Sequence, residues 1–451
     1  MTRFHSHLPL LFPLALLLGL VPCRAAPLTV LHAFGYGGPI HPKPGGKGND
    51  SKALDGARPS SALIQAPGGA LYGTTLNGGA HGMGTVFRVN PDGTGFTVLH
   101  SCDILYFGVF SGLTNSGGAS LSGALVQAPS GALYGTAEMG GPGSSGLIFR
   151  LEPDGTGFKV IHSFGHGSGW VFGRNGGGAG PVALTLGADG LLYGAAVDEG
   201  PDGGGTLFRL SSDGTGFKVL HAFRGVVHGK GTNEGGTQPE AAPVFGRDGA
   251  LYGTTTGGGT DGCGVLYRLT TGGEQFTVLH HFRRRSAAAE AVSAAPEGPL
   301  TSAADGSLYG CTRRGGAGGG TLFRVKQDGA DFTVLHTFPG PDDDGGDGTL
   351  PAATLVLGRD GRLYGLTSAG GANGTGTVFW VSPDGAKFVV LHDFAAPDAA
   401  YHNADGAYPR VGLLQGGDGA LYGTTASGGP EGTGTVFRLV PPALPLPSAP
   451  Q

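Results

Sequence analysis

Apolar runs of four to seven residues, some alternating with polar positions and some continuous, recur along the whole chain between Gly, Asp-Gly and Pro-Asp-Gly punctuation. Apolar spacing of three and four is not sustained, so the pattern predicts extended strands. A helical turn is expected only in "AAAEAVSAA", after Arg285. The first full unit shows the plan. "SALIQAPGGALYGTT" reads as two strands joined at Pro67 and Gly68, and most other copies place Asp-Gly at that joint. A Gly-rich connection, "LNGGAHGMG", follows, and then "GTVFRVNPDGTGFTVLHSC" gives two further strands around Pro91, Asp92 and Gly93. Each unit thus holds four strands, A to D.

Leu-Tyr-Gly occurs seven times, with its tyrosine at Tyr72, Tyr134, Tyr193, Tyr252, Tyr309, Tyr364 and Tyr422, at spacings of 55 to 62 residues. A second signature, an apolar pair followed by His, recurs at His32, His100, His162, His221, His280, His336 and His392. Seven copies of a four-stranded antiparallel unit are the sequence signature of an all-β fold, a seven-bladed β-propeller. The first His signature, "LTVLHAF" at 28 to 34, precedes any A, B or C strand, while the last unit stops after "GTVFRLV". The amino-terminal strand is therefore expected to serve as strand D of the seventh blade and close the ring, which removes the exposed edges of an open sheet.

Composition narrows the partners. Gly and Pro supply 93 and 31 of 451 residues, yet 39% of the chain is apolar and 14% charged, too much Leu, Val, Phe and Tyr for a solvated coil. A net charge of -5 with no basic run longer than Arg283 to Arg285 argues against nucleic acid. Four cysteines do not make a disulfide scaffold, and there is no CxxC or HExxH spacing for a metal. Residues 1 to 25 have the layout of a secretory signal peptide, with Arg3, an apolar stretch from Leu8 to Val21 that is short for a membrane span, and Ala25 at the cleavage position. Leu20 to Cys23 imitates a lipid-attachment pattern, weakened by Pro22 before Cys23. Cleavage after Ala25 removes Arg3, Arg24 and Cys23, leaving net charge -7 and Cys102, Cys263 and Cys311. The expected layout is a signal peptide at 1 to 25, a propeller at 26 to 440 and a Pro-rich tail at 441 to 451. The mature chain is expected to be a monomer with no transmembrane span, secreted, periplasmic or at the cell surface.

The unit "DGALYGTT", a Gly-rich connection, "GTVFRL" and then "DGTGFTVLHS" resembles the GloVer tandem repeat of exported bacterial proteins, over residues 28 to 440. The resemblance implies export and repetition. It brings no established activity and no catalytic residue.

In a four-stranded blade the A to B and C to D turns share one face, and the B to C and D to A connections share the other. The first face carries tight turns. The second carries D to A loops of about 14 to 20 residues, and long loops on a rigid scaffold are where binding sites sit. The seven histidines occupy one register of seven different blades, so they cannot converge on a metal and read as packed strand residues. The repeated tyrosines, and the arginines Arg88, Arg150, Arg209, Arg268, Arg324 and Arg438, read as blade-building positions, with Trp380 replacing the arginine in blade six. The Gly-rich connections lack the following helix and the Gly-Lys-Ser or Gly-Lys-Thr of a phosphate loop, and no Gly-x-Ser-x-Gly elbow is present.

Asp55, Asp347 and Asp405 share a register ahead of strand A in three neighbouring blades, six, seven and one. They read either as Asp-Gly turns or as carboxylates facing a common channel pocket for a cation or sugar hydroxyls. Asp342, Asp343 and Asp344 form an acidic loop without EF-hand spacing, where calcium is the cofactor to consider beside simple solvation. Tyr106, Phe107, Phe110, Trp170, Phe172, Tyr401 and Tyr408 lie in long loops and would stack on sugar rings, anchor a partner or pack their own loops, with Trp170 the foremost candidate. Two functions follow: a noncatalytic propeller that binds a carbohydrate or protein partner through the long-loop face, or a polysaccharide lyase or hydrolase using channel carboxylates such as Asp55, Asp347 and Asp405.

Overall fold

The computed structural model describes residues 26–35, 53–108, 112–165, 176–225, 233–283, 293–340, 346–352 and 354–443. The "AAAEAVSAA" segment falls largely outside them. Among these residues there is no helix, and seven antiparallel sheets ring an axis as the seven blades of a propeller. Blade one shows the pattern: strand A in two pieces, Ala57–Pro59 and Ile64–Gln65, then B at Leu71–Asn77, C at Thr85–Val89 and D at Thr97–Ser101. Blade seven has A, B and C at Leu414–Gln415, Leu421–Thr425 and Thr435–Leu439, and its strand D is Leu28–Ala33, paired antiparallel to Thr435–Leu439.

The two most regular motifs fit one another. In every blade the Gly of Leu-Tyr-Gly lies opposite the aromatic residue of strand C, as Gly73 opposite Phe87 and Gly365 opposite Phe379. The ring lies flat across the glycine. A Cβ on Gly73 would stand 2.6 Å from Phe87 Cζ, and one on Gly365 would stand 2.4 Å from Phe379 Cζ. Only a residue without a side chain fits there, which is why Tyr-Gly and Val-Phe recur together.

Blades then join through the other side of the same rings. Phe34, Phe164, Phe223, Phe282, Phe338 and Phe394, each two residues after the repeated His, meet the strand C aromatic of the following blade at centroid distances of 5.2 to 5.7 Å. Cys102 takes this place between blades one and two and is fully buried. Seven hydrophobic clusters result, each shared by two consecutive blades; the one containing Phe34, Leu71, Phe87, Tyr422 and Val436 joins blade seven to blade one. No blade owns a core of its own.

Strand D carries a bulge that the apolar pattern does not announce. In all seven blades the register against strand C shifts within the segment holding the repeated His, as between Val86 and Phe87 opposite Val98 and His100. An extra residue there bends the strand and re-aims the next side chain. The C to D turn of the following blade packs against this bend. Gly93, at φ +84°, would place a Cβ 2.9 Å from the carbonyl oxygen of Leu31, so its Asp-Gly turn needs glycine for both conformation and closeness.

Full burial of Phe34 is worth roughly 1.5 to 3 kcal/mol, and the half-buried Val30 and Leu31 add part of that each, a sizeable share of the net stability of a domain. Deletion of residues 28–34 is expected to abolish recovery of soluble monomer, and Phe34→Ala to cost about 3 to 5 kcal/mol. Size-exclusion chromatography and thermal melting check both; a monomeric deletion variant with an unchanged melting temperature would refute closure by this strand.

Candidate functional site

The repeated histidines form the blade junctions. His32, His100, His162, His221, His280 and His336 each stack on the phenylalanine that opens strand D of the next blade, namely Phe96, Phe158, Phe217, Phe276, Phe332 and Phe388. Centroids are 3.5 to 4.0 Å apart and the rings are within 6° of parallel. His392 faces the blade whose strand D begins at Leu28, and it keeps only the edge contact with Phe394. Burial pulls His221 and His280 down to about 4, and also lowers His100, His162 and His336.

Asp55, Asp347 and Asp405 are drawn into these junctions. Asp55 Oδ2 is 3.0 Å from His32 Nε2, and Asp405 Oδ2 is 2.7 Å from His392 Nε2. The backbone N–H groups of Gly35 and Ala395 donate to the same two carboxylates. Asp347 approaches His336 Nε2 at 3.3 Å. Each carboxylate therefore serves a different blade junction, beside an outer strand, and the common channel pocket envisaged for them does not form. The reason is the path of the chain: the D to A connection starts at the outer strand, and these residues lie on its way inward. Trp170 and Asp342, Asp343 and Asp344 lie outside the described residues, as do Phe110 and Phe172. Among the described residues no group of three or more His, Cys, Asp or Glu side chains is arranged to hold a metal ion.

On the tight-turn face, the repeated Tyr and Arg lock the A to B turns. Tyr193, Tyr252, Tyr364 and Tyr422 donate to Asp189, Asp248, Asp360 and Asp418 at 2.6 to 3.0 Å. Arg268 and Arg438 close the same triangle in blades four and seven, and in blade six Arg362 lies over the Trp380 ring at 4.4 Å. Cys102, Cys263 and Cys311 are buried, and burial pushes Cys102 and Cys311 up to about 12, which leaves them poor nucleophiles.

The long-loop face has a different construction. Just before strand A straightens, each blade has one residue with left-handed backbone: Arg58, Ser120, Gly180, Gln238, Ala295, Leu350 and Tyr408, at φ between 53 and 63°. In six of them the backbone N–H donates to a carbonyl in the preceding blade, as Gln238 to Gly204 and Tyr408 to Thr375. The side chain two positions later follows this turn to the inner edge of the blade. In blades four and five it is glutamate, Glu240 and Glu297, each after a proline.

A cleft of about 580 Å³ opens here across blades two to four, lined by Ser122, Glu138, Ser145, Asp198, Glu199 and Glu240, with Met139, Val182 and Val197 as its apolar wall. Burial raises the Glu240 carboxyl, and the nearby charges of Glu297 and Asp198 push in the same direction. Thr256 Oγ1 lies 3.3 Å from Glu240 Oε1, and Arg313 pairs with Glu297 at 3.0 Å. Ser60 and Arg410 hold the corresponding positions in blades one and seven, so the register is not uniformly acidic. Sequence reasoning overlooked this cleft. The signal was present, as Pro-Glu at one register of two successive units, five positions nearer to Leu-Tyr-Gly than the register of the aspartates.

Residues 47–176, 171–346 and 239–444 match the Gloeobacter/Verrucomicrobia repeat. No match is found among curated proteins. Similar solved structures include a puromycin-hydrolyzing peptidase from Mycobacterium tuberculosis, 14% identical with a TM-score of 0.49, covering 90% of this chain and 54% of that one. A putative 6-phosphogluconolactonase from Bacteroides uniformis is 16% identical with a TM-score of 0.47, covering 78% of this chain and 88% of that one.

The lowered histidines bind protons in the unfolded chain, near pH 6.5, before they do so in the folded one. Stability is thus full above that pH and lost as pH falls toward about 4. Each of His221 and His280 is expected to contribute a loss on the order of 1 kcal/mol, allowing for partial solvent screening. Melting temperatures across this range check it: His221→Phe keeps the stack without the proton and is expected to flatten the slope, and an unchanged slope would refute the assignment.

Proposed function

Because the chain belongs to the Gloeobacter/Verrucomicrobia repeat family and its long-loop face carries an acidic cleft, we propose that it is an exported, noncatalytic propeller that holds a protein partner through a Lys- or Arg-rich segment. The observation that carries this reading is the convergence of Glu138, Asp198, Glu199 and Glu240 on one cleft, where like charges already work against one another and a cation would relieve them. The cleft lining contains no aromatic ring among the described residues, so it lacks the platform that a sugar would use. Arg313 pairs with Glu297 outside the cleft lining and its charge also reaches Glu240, while Glu138, Asp198 and Glu199 line the rest of the cleft.

Export rests on the amino-terminal layout. Cleavage after Ala25 would make Ala26 the first residue, and Ala26 is buried, with its N–H donating to Leu391 O at 3.1 Å. Among the described residues no helix is long and apolar enough to cross a membrane. Amino-terminal sequencing of the exported protein is expected to begin at Ala26; a chain retained in the cytoplasm with its leader intact would remove export from the proposal.

Fluorescence anisotropy with labelled hexalysine tests the cleft. Binding is expected at low salt, weakening as salt rises, and Glu138→Gln with Glu240→Gln is expected to lower affinity at least about tenfold, or ~1.4 kcal/mol. Affinity unchanged in the double variant would overturn the reading. A second reading has one observation in its favour, since Glu240 stands at the cleft wall with its carboxyl raised by partial desolvation and by the charges of Glu297 and Asp198, the direction a general acid requires. Polysaccharide cleavage by the wild type, abolished by Glu240→Gln, would put catalysis in place of binding.

A further inference from the structure

The connection from blade one to blade two builds a second recess on the long-loop face, at the opposite end of the D to A path from the acidic cleft. After Cys102 the chain rises into a hairpin, Tyr106–Gly108 paired with Gly112–Thr114, and returns through Asn115 to Gly118. Its base is rigidly braced. Asn115 Nδ2 donates to Asp103 O at 2.9 Å and Gly118 O at 2.8 Å, and Asn115 Oδ1 accepts from the N–H groups of Gly118 and Gly141. Ser116 Oγ donates to Asp103 Oδ2 at 2.6 Å. The base and the B to C connections of the two blades border an open recess of about 620 Å³, lined by His81, Asp103, Ile104, Tyr106, Asn115, Ser116 and Pro142.

What this recess presents is unusual for the molecule. Tyr106 is 66% exposed and Ile104 40% exposed, although the repeated tyrosines elsewhere are buried. A ring exposed beside this braced base offers a flat apolar platform. The same recess is lined by the His81 imidazole and the Ser116 hydroxyl, which donate and accept, and by the Asp103 carboxylate, which accepts and whose Oδ1 is not used by Ser116. Asn115 is spent on backbone and acts as scaffold. The lining contains no Lys or Arg, which removes phosphate and carboxylate ligands. It holds a single carboxylate already bonded to Ser116, which is a poor site for a strong cation.

An aromatic platform edged by one carboxylate acceptor and by neutral donors and acceptors, in a recess of the volume usual for small ligands, is the chemistry that recognises a sugar ring. We propose that this recess binds a neutral oligosaccharide, with one pyranose face on Tyr106 and its hydroxyls on Asp103, Ser116 and His81. The site is independent of the acidic cleft and of the partner assigned to it, and would let one face hold a glycan and a protein together.

Calorimetric titration with cellohexaose, xylohexaose, maltohexaose and chitohexaose tests this on the full mature chain. At least one is expected to bind saturably. Tyr106→Ala is expected to weaken that sugar at least about tenfold, and Tyr106→Phe, which keeps the platform, to retain it; an exposed side chain makes both variants fold-neutral, checked by unchanged melting. Absence of saturable heat from all four sugars at millimolar concentration, or binding indifferent to Tyr106→Ala, would overturn the proposal. Binding lost in Glu240→Gln and kept in Tyr106→Ala would also overturn it, by moving the sugar to the axial cleft. Hexalysine binding is expected to be unaffected by Tyr106→Ala, so the two proposals fail separately.

Discussion

The strand C aromatic ring of each blade is covered on one side by its own glycine and on the other by the preceding blade, and this shared burial is the constraint on which the molecule rests. Because no blade can bury its own faces, the array has no stable end. The only arrangement that leaves no ring uncovered is a closed one, and the chain achieves it by lending Leu28–Ala33 to its last blade. The histidine stacks extend the same logic outward. An imidazole lies flat on the next blade's phenylalanine six times, and at the one remaining junction Leu28 stands in place of that phenylalanine.

A frame so repetitive leaves little freedom to its shared positions. The Asp, Tyr and Arg of the tight-turn face are consumed in locking turns, and Asp55 and Asp405 in bonding histidines at the junctions. What varies from blade to blade is the side chain carried to the inner edge and the content of the long connections. Those are the places where Glu240, Glu297 and Arg410 differ at one register, and where the Tyr106 hairpin occurs in one connection. Individuality in this molecule therefore lies mostly on one face, with the Arg362 and Trp380 pair of blade six the departure on the other.

Much of this was legible from motif order alone. Leu-Tyr-Gly, Val-Phe-Arg and the His signature named the strands, their number and the closing segment, because steric demands such as ring over glycine repeat without exception and so appear as invariant letters. The histidines were rightly read as packed residues, although their stacking partners lie a blade away. The candidate site was less legible. Asp55, Asp347 and Asp405 share a register, and register gives the position along a blade but not the radius from the axis. The bulge in strand D and the left-handed residue before strand A decide which side chains turn inward, and neither has a distinctive residue type.

By itself the sequence determined that seven four-stranded units exist, where each begins, and that the amino end completes the last, since hydrophobic periodicity and turn residues act locally and repeat. Tertiary structure alone decided which carboxylates meet. Glu138, Asp198 and Glu240 come from three units, and the curvature of a closed ring brings them to one cleft, while it draws the three aspartates into three separate junctions. Proximity across blades depends on radius and twist, and these are properties of the assembled ring that no single repeat encodes.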